Sequence, residues 1–272
     1  MSRSRAIGLL LLCIFLWSTG GFLIKSISWS PLATAGVRSG LCALILWFFY
    51  RPLVFRWDAP QFGAALANAS TMILFVCATK LTTAANAVFL QYMAPVYVAL
   101  FSGWYLREKI RASSWFSMLI ALFGMYLFFK DSADFSHNVG NVLACISAVT
   151  FAWTVLFLRK HDGRSMMESI ILANALAFVV CSPWVIREVA LDQNLVYAIL
   201  IAIFQMTLPN VLYVKVIKNL PAFDVMCIGL LEPIMNPTLV FLVHGEQPTQ
   251  IAMLGGACIV SVVFFQFKKP AS

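Results

Sequence analysis

Apolar runs about as long as a bilayer is thick recur along this chain from one end to the other, separated by short polar clusters. The chain has 272 residues, of which 61% are hydrophobic and only 11% are charged, whereas a soluble domain carries roughly 25% charged residues. Each run is therefore predicted to be a transmembrane helix. The pattern predicts an all-α polytopic membrane protein with ten transmembrane helices, at residues 6–24, 32–50, 61–79, 83–104, 113–129, 139–158, 166–186, 195–214, 222–243 and 251–267.

The lysines and arginines predict how these helices are oriented. If the amino terminus is inside, most of the 19 cations fall in inner segments, and the outer loops hold only Lys25, Lys80, Lys130 and Arg187. The positive-inside rule then places both termini in the cytoplasm, which predicts a multi-pass protein of a bacterial inner membrane. Cations spread over many short segments do not form the basic stripe of a nucleic-acid-binding protein, so no nucleic-acid partner is predicted.

The start of the chain also fits a second interpretation. Arg3 and Arg5 precede an apolar run, as in a signal peptide. The run is long, lacks a clean small-x-small cleavage site and is followed by nine more runs, which favours a membrane-spanning helix.

Cysteine and histidine patterns give no sign of catalysis or metal binding. All seven cysteines fall inside predicted spans and none forms a Cys-x-x-Cys pair, so neither a disulfide framework nor a metal site is predicted. The sequence also lacks His-Glu-x-x-His, Gly-x-Ser-x-Gly and the Gly-x-x-x-x-Gly-Lys phosphate cradle. No enzyme activity, metal or cofactor is predicted.

The chain contains an internal repeat. A shift of 138 residues without gaps superimposes several scarce residue types, namely Lys80 on Lys218, Pro95 on Pro233, Glu108 on Glu246 and Lys130 on Lys268. Two repeats of five helices are predicted, at 1–137 and 138–272, and because five is odd the second repeat must be inverted. Inverted repeats are frequent in secondary transporters, which expose one midplane site to either side in turn. Duplication alone also builds membrane enzymes and scaffolds.

Two ionisable residues fall well inside predicted spans, where a charge is costly. Glu232 lies in the middle of the ninth span, between Leu231 and Pro233. It is a candidate proton acceptor or counter-charge for a substrate ammonium group, or it ties its helix to a neighbour. Arg38 lies between Gly36 and Gly40, and its role is either structural, facing a helix end or an acidic loop residue, or that of binding a substrate carboxylate.

Prolines and polar residues at similar depth predict a pocket. The prolines at 95, 209, 233 and 237 should each break or kink a helix and free backbone carbonyls, and broken helices at the midplane indicate a binding site. The candidate substrate-binding residues, which are equally able to make interhelical contacts, are Trp17, Asn68, Gln91, Tyr92, Trp153, Gln205 and Glu232.

These features resemble the ten-helix EamA-type members of the drug/metabolite transporter superfamily. The resemblance rests on Leu16-Trp17-Ser18, on Ala84-Ala85-Asn86-Ala87 followed by Ala94-Pro95 and Glu108, and on Leu231-Glu232-Pro233 followed by Glu246. It implies two inverted five-helix repeats around a central cavity lined by helices one, three, four, six, eight and nine. It also implies that Glu108 and Glu246 brace helix ends at the membrane edge.

The expected function is export of an amino acid or related small metabolite by alternating access, with protons exchanged through Glu232 as one form of coupling. The expected partners are a small-molecule substrate and the lipid bilayer, and a homodimer is left open. Few cations lie inside the spans, which favours a zwitterionic or neutral substrate over a dianion. The alternatives are a membrane binding or scaffold protein, a passive pore, or a transporter of nucleobases, sugars or drugs.

Overall fold

Every secondary-structure element in the described part of the chain is a helix. The computed structural model describes residues 1–50, 55, 58–107, 112–130, 136, 138–160, 166–217, 219–220, 222–235 and 249–268. The helices are α1 (Arg3–Ser18), α2 (Gly20–Ser26), α3 (Pro31–Phe49), α4 (Ala59–Leu81), α5 (Ala84–Gln91), α6 (Ala94–Tyr105), α7 (Ala112–Phe129), α8 (Asn138–Lys160), α9 (Met166–Glu188), α10 (Gln193–Leu200), α11 (Leu208–Ile217), α12 (Ala222–Gly229) and α13 (Gln250–Lys268). A π-helical segment, Ile201–Thr207, joins α10 to α11.

Side-chain caps set where several helices begin. Ser30, Asp58 and Thr83 each precede a helix and accept a hydrogen bond from the backbone N–H three residues further on, at 3.3, 2.9 and 3.1 Å respectively. Such a bond satisfies one of the four N–H groups that a helix start leaves without an intrahelical partner. The beginnings of α3, α4 and α5 are therefore encoded locally.

The length and composition of the helices indicate a multi-pass membrane protein. Within the described ranges, seven helical stretches are long and apolar enough to span a membrane, at Arg3–Ser26, Pro31–Phe49, Ala59–Leu81, Asn86–Tyr105, Asn138–Lys160, Met166–Glu188 and Gln193–Ile217. Two shorter apolar helices, Trp115–Phe129 and Gln250–Phe265, coincide with the fifth and tenth predicted spans. The ninth predicted span is described only as far as Met235. The total of ten stays a prediction.

Large apolar side chains cover the outer surface of the bundle. Phe48, Trp104, Phe116 and Phe265 are 69%, 74%, 66% and 64% exposed. A soluble protein rarely exposes apolar side chains of this size in such number. They are instead suited to contact with lipid, where the backbone polar groups are satisfied within the helices.

Helices from the two halves of the chain pack against each other. The packed pairs are α3 with α9, α4 with α8, α1 with α11 and α7 with α13. The α7 and α13 backbones come very close, since a Cβ atom at Gly124 would lie 2.8 Å from the carbonyl oxygen of Gly255. Glycine is required there because any side chain would push the two helices apart.

Three helices are interrupted next to prolines. Pro95 and Pro233 have no N–H to donate to the carbonyls of Gln91 and Gly229 four residues earlier. The chain turns at 92–93 and at 230–231 and is helical again from Ala94 and from Glu232. Pro209 likewise leaves the carbonyl of Gln205 without its usual donor, and a π-helical segment ends just before it. The π-helix, whose hydrogen bonds join residues five apart, accommodates that loss.

The connection 27–30 between α2 and α3 is held from several sides. The Lys80 ammonium group donates to the carbonyls of Ile27 and Trp29. The Ser30 N–H donates to Glu188 Oε2 at 2.7 Å, and the Ser28 N–H donates to Asn194 Oδ1 at 2.9 Å. These bonds join α4, α9 and α10 at one end of the bundle, which is the end predicted to face outward.

Candidate substrate cavity

A cavity of about 120 Å³ lies where the interrupted helices meet. Several of its residues, such as Asn68 in α4 and Gln205 in the π-helical segment, sit near the middle of their helical stretch. Polar, charged and aromatic side chains share its wall. The lining residues are Trp17, Arg38, Asn68, Thr71, Met72, Phe75, Gln91, Tyr92, Phe151, Gln205, Met206, Asn210 and Glu232.

The two proline-linked breaks bring an acid and a phenol together. Tyr92 follows the end of α5, and Glu232 begins the helical turn after α12. The Tyr92 hydroxyl donates a hydrogen bond to Glu232 Oε2. Because Tyr92 is in the first half of the chain and Glu232 in the second, this bond joins the two halves at the wall of the cavity.

Arg38 reaches the cavity because small residues hold its helix against α9. A Cβ atom at Gly36 would lie 2.8 Å from the Cys181 Cβ, and one at Gly40 would lie 2.6 Å from the Phe178 ring. The glycine face of α3 is therefore pressed onto α9. The Arg38 side chain is only 3% exposed, and its Nη1 donates to Gln205 Oε1 at 3.4 Å.

Gln205 is positioned by the π-helical segment and by the break in the first span. Its side chain fills the space next to Gly20, where a Cβ atom would lie 2.7 Å from Gln205 Nε2. Gly20 begins α2 directly after Thr19, where α1 has ended. Asn210 lies in the first turn of α11, directly after this segment, and lines the same cavity as Gln205.

Polar groups next to the cavity form a hydrogen-bonded network between α4, α5 and α8. Gln91 Nε2 donates to Ser147 Oγ at 2.8 Å, and the hydroxyls of Thr71 and Thr150 are 2.8 Å apart. Such a network satisfies polar groups that would be expensive to leave unpaired in a membrane. It also fixes the orientation of the Gln91 amide.

Trp17 closes another side of the cavity with an aromatic contact. Its ring centroid lies 5.3 Å from that of Tyr213 in α11, at an interplanar angle of 48°. This contact joins α1 to α11. The Trp17 indole, held by this contact, offers the cavity an apolar wall and a face on which a cation can lie.

The sequence-predicted binding residues are gathered here with one exception. Trp17, Asn68, Gln91, Tyr92, Gln205 and Glu232 all line the cavity. Trp153 packs elsewhere, with ring centroids 5.3 Å from Phe101 and 5.4 Å from Phe157. Its role in substrate binding stays a prediction without a place in this cavity. Pro237, Glu108 and Glu246 lie outside the described residues.

Six lining residues were not predicted from the sequence, and two of them, Thr71 and Asn210, are polar. Neither of these two belongs to a motif. Asn210 directly follows Pro209, and this polar residue next to a proline within a predicted span is the sequence feature that could have identified it as a lining residue. Within the described ranges, no group of three or more His, Cys, Asp or Glu side chains could hold a metal ion.

Helices of membrane-spanning length around a polar cavity define a multi-pass membrane protein of the transporter type. The EamA-like transporter family matches residues 4–130 and again residues 138–267. The chain belongs to this family, and with it to the drug/metabolite transporter superfamily. The members matched are transporters and efflux pumps rather than enzymes.

Relatives of similar length are found in bacteria and archaea. An uncharacterized transporter of Archaeoglobus fulgidus is 22% identical, with 96% of this chain and 95% of the relative covered. A protein of Escherichia coli named "Probable amino-acid metabolite efflux pump" is 23% identical, with 97% and 95% covered. The pseudopaline exporter CntI of Pseudomonas aeruginosa is 24% identical, with 93% and 92% covered.

A solved crystal structure has the same fold. It superposes with a TM-score of 0.81 at 16% identity, covering 98% of this chain and 99% of that chain. At this identity the likeness concerns the fold alone. The substrate has to be argued from the cavity of this chain.

Proposed function

We propose that this protein is a secondary transporter that exports an amino acid or a related small metabolite across a bacterial inner membrane by alternating access. The observation that carries this is the cavity, whose described lining residues include one cation, Arg38, and one anion, Glu232, among neutral polar, apolar and aromatic groups. A zwitterion matches that pair of charges. The names of the E. coli and P. aeruginosa relatives agree with export of small metabolites.

Alternating access requires two halves that rock around a common site, and the helix pattern supports such halves at 1–137 and 138–272. Shifted by 138 residues, α7 falls on α13 and the break at 92–93 falls on the break at 230–231. The same shift maps packed pairs of helices onto packed pairs. The pair α4 and α8 is mapped onto α11 and α1, while in the pairs α3 with α9 and α7 with α13 each helix is mapped onto its own partner. Five helices in each half make the repeat inverted.

The hydrogen bonds around the connection 27–30 hold the two halves together at one end of the bundle. The bonds of Ser30 to Glu188 and of Ser28 to Asn194 cross from the first half to the second. With both termini in the cytoplasm, as the cation distribution predicts, these bonds lie at the outer end. At the inner end, the ion pair of Arg3 with Asp224 also joins the two halves, so alternating access has to break contacts at each end in turn.

Proton exchange through Glu232 is the coupling that the site supports best. A carboxylate buried in a membrane is costly unless it is protonated or paired. Glu232 accepts a hydrogen bond from the Tyr92 hydroxyl, across the two halves. A change in the charge of Glu232 would alter both that bond and the attraction for a substrate ammonium group. The first effect changes the contact between the two halves, and the second changes the affinity for the substrate.

The test is counterflow in proteoliposomes. Vesicles containing the purified protein are loaded with an unlabelled pool of amino acids, nucleobases or sugars, and entry of the labelled counterpart is followed. We expect transient accumulation with the amino-acid pool only, because a carrier that alternates between two sides exchanges labelled for unlabelled substrate.

Other outcomes separate the alternative functions. Accumulation with another pool would replace the substrate class. Uptake without saturation or counterflow would indicate a passive pore. If no labelled compound enters with any pool, and size-exclusion chromatography and thermal melting show that the protein is folded, a binding or scaffold protein would be favoured. Protein-free vesicles and vesicles at the same lipid ratio with heat-inactivated protein are the controls.

A further inference from the structure

Arg38 is a buried cation whose charge is poorly compensated. The side chain is 3% exposed, and within the described part of the chain it forms no ion pair, the pair found there being Arg3 with Asp224. Burying a guanidinium group without a carboxylate is unfavourable in a membrane interior. A residue of this kind either has a ligand or imposes a continuing cost on the fold.

The hydrogen bonds of Arg38 are long and incomplete. Nη1 donates to Gln205 Oε1 at 3.4 Å and Nη2 donates to the Met72 carbonyl at 3.5 Å, both beyond the usual range of about 2.7–3.2 Å. Nε is buried and has no hydrogen-bond partner among the described residues. Arginine presents five N–H donors in a planar fork that fits a carboxylate with two parallel bonds. Neutral, distant acceptors leave most of that capacity unused.

Glu232 lines the same cavity but is not the missing partner. It accepts a hydrogen bond from Tyr92 and forms no ion pair with Arg38. The two charges therefore line the cavity without pairing, with the first half of the chain contributing the cation and the second half the anion. A molecule that carries both a carboxylate and an ammonium group would supply a partner for each.

We propose that Arg38 binds the carboxylate of the transported substrate, and that this carboxylate replaces Gln205 as the acceptor for the guanidinium group. The proposal rests on the proposed function and adds to it the residue that selects the substrate class. Gln205 is an amide held weakly at 3.4 Å, so an ionised acceptor at normal distance displaces it. Released from Arg38, the Gln205 side chain can shift against Gly20, at the break between α1 and α2.

The experiment compares three sets of probes in counterflow and in ligand-induced thermal stabilisation of the purified protein. The sets are alanine, leucine and phenylalanine, the carboxamides of these amino acids, and the acids that lack the amino group, propionate, 4-methylpentanoate and 3-phenylpropionate. The proteins are wild type, Arg38→Gln, Arg38→Lys and Gln205→Glu. Ser39→Ala is the matched control, because Ser39 is the next residue of α3, is fully buried and does not line the cavity.

Wild type should prefer amino acids to their carboxamides by about 10- to 100-fold, the range expected for hydrogen bonds to a charged group. Arg38→Gln should remove this preference and also weaken the acids that lack an amino group. Arg38→Lys should retain only part of it, since an ammonium group lacks the planar fork. Gln205→Glu should remove the preference as well, because the new carboxylate would form an ion pair with Arg38 and compete with the substrate carboxylate. Ser39→Ala should keep it.

Acceptance of carboxamides as readily as amino acids by wild type would overturn the role of Arg38 and leave the transport function intact. Persistence of the acid preference in Arg38→Gln or Gln205→Glu would do the same. If Arg38→Gln does not fold, the wild-type comparison and Gln205→Glu decide the question without it. Absence of counterflow and of stabilisation with every probe would overturn the proposed function together with this inference.

Discussion

Transport by a Glu232→Gln variant should lose its dependence on pH while the protein stays folded. The carboxyl group lines the cavity beside Tyr92 and near Cys13, the other titratable groups that interact with it. Glutamine keeps the size of the side chain and accepts a hydrogen bond from the phenol, but it cannot take up or release a proton. At low pH, where protonation removes the charge of Glu232, wild type should approach the rate of the variant.

At high pH, Glu232→Gln should transport a cationic or zwitterionic substrate about tenfold or more slowly than wild type. This factor corresponds to the loss of one hydrogen bond to a charged group. Counterflow and pH-jump uptake in proteoliposomes measure both effects. Glu168→Gln is the matched control, since Glu168 is a buried acidic residue in the first turn of α9 that does not line the cavity. Unchanged pH dependence in Glu232→Gln would rule out the proton role.

Substitution of Gly124 by Ala should lower the stability of the protein by about 1–3 kcal/mol, the usual cost of overpacking a close contact. The added Cβ atom would lie 2.8 Å from the Gly255 carbonyl oxygen and 2.9 Å from the Cys258 Cβ. Backbone cannot yield as a flexible side chain can, so α7 and α13 would have to separate. A thermal melt or an unfolding titration in detergent measures the change.

Gly8→Ala is the control for the change of residue type. Gly8 lies inside α1, where a Cβ atom meets nothing within 4 Å. Alanine is favoured over glycine in a helix by roughly 0.5–1 kcal/mol, so this variant should be neutral or slightly more stable. Equal melting temperatures for Gly124→Ala and wild type would mean that α7 and α13 do not pack with their backbones in contact.

The helical architecture and much of the cavity follow from the sequence because the physical constraints are strong and local. Apolar length separates the spans, capping residues such as Ser30 and Asp58 start the helices, and proline removes a specific hydrogen bond. Polar side chains in a membrane must find one another. That rule is why Asn68, Gln91 and Gln205, which are distant in sequence, could be assigned to one pocket.

Other features depend on packing that a single sequence does not display. The segment 201–207 contains neither glycine nor proline, so nothing in it specifies π-helical geometry; the cause lies at Pro209. Trp153 is a residue type that often lines a pocket, but in this fold its ring packs against Phe101 and Phe157. The side of α3 that faces α9 is set by close contacts of Gly36 and Gly40, which is what turns Arg38 toward the cavity.

The two breaks at 92–93 and 230–231 are alike in backbone but unlike in chemistry. The position equivalent to Glu232 in the first half is Ala94, and the position equivalent to Arg38 in the second half is Leu176. A protein assembled from two first halves would have two arginines and no carboxylate at these cavity positions. One assembled from two second halves would have two carboxylates and no arginine there. The proposed zwitterion site therefore requires the two halves to differ at these positions. Two repeats with similar backbones can in this way supply opposite charges to one cavity, and neither repeat can replace the other in it.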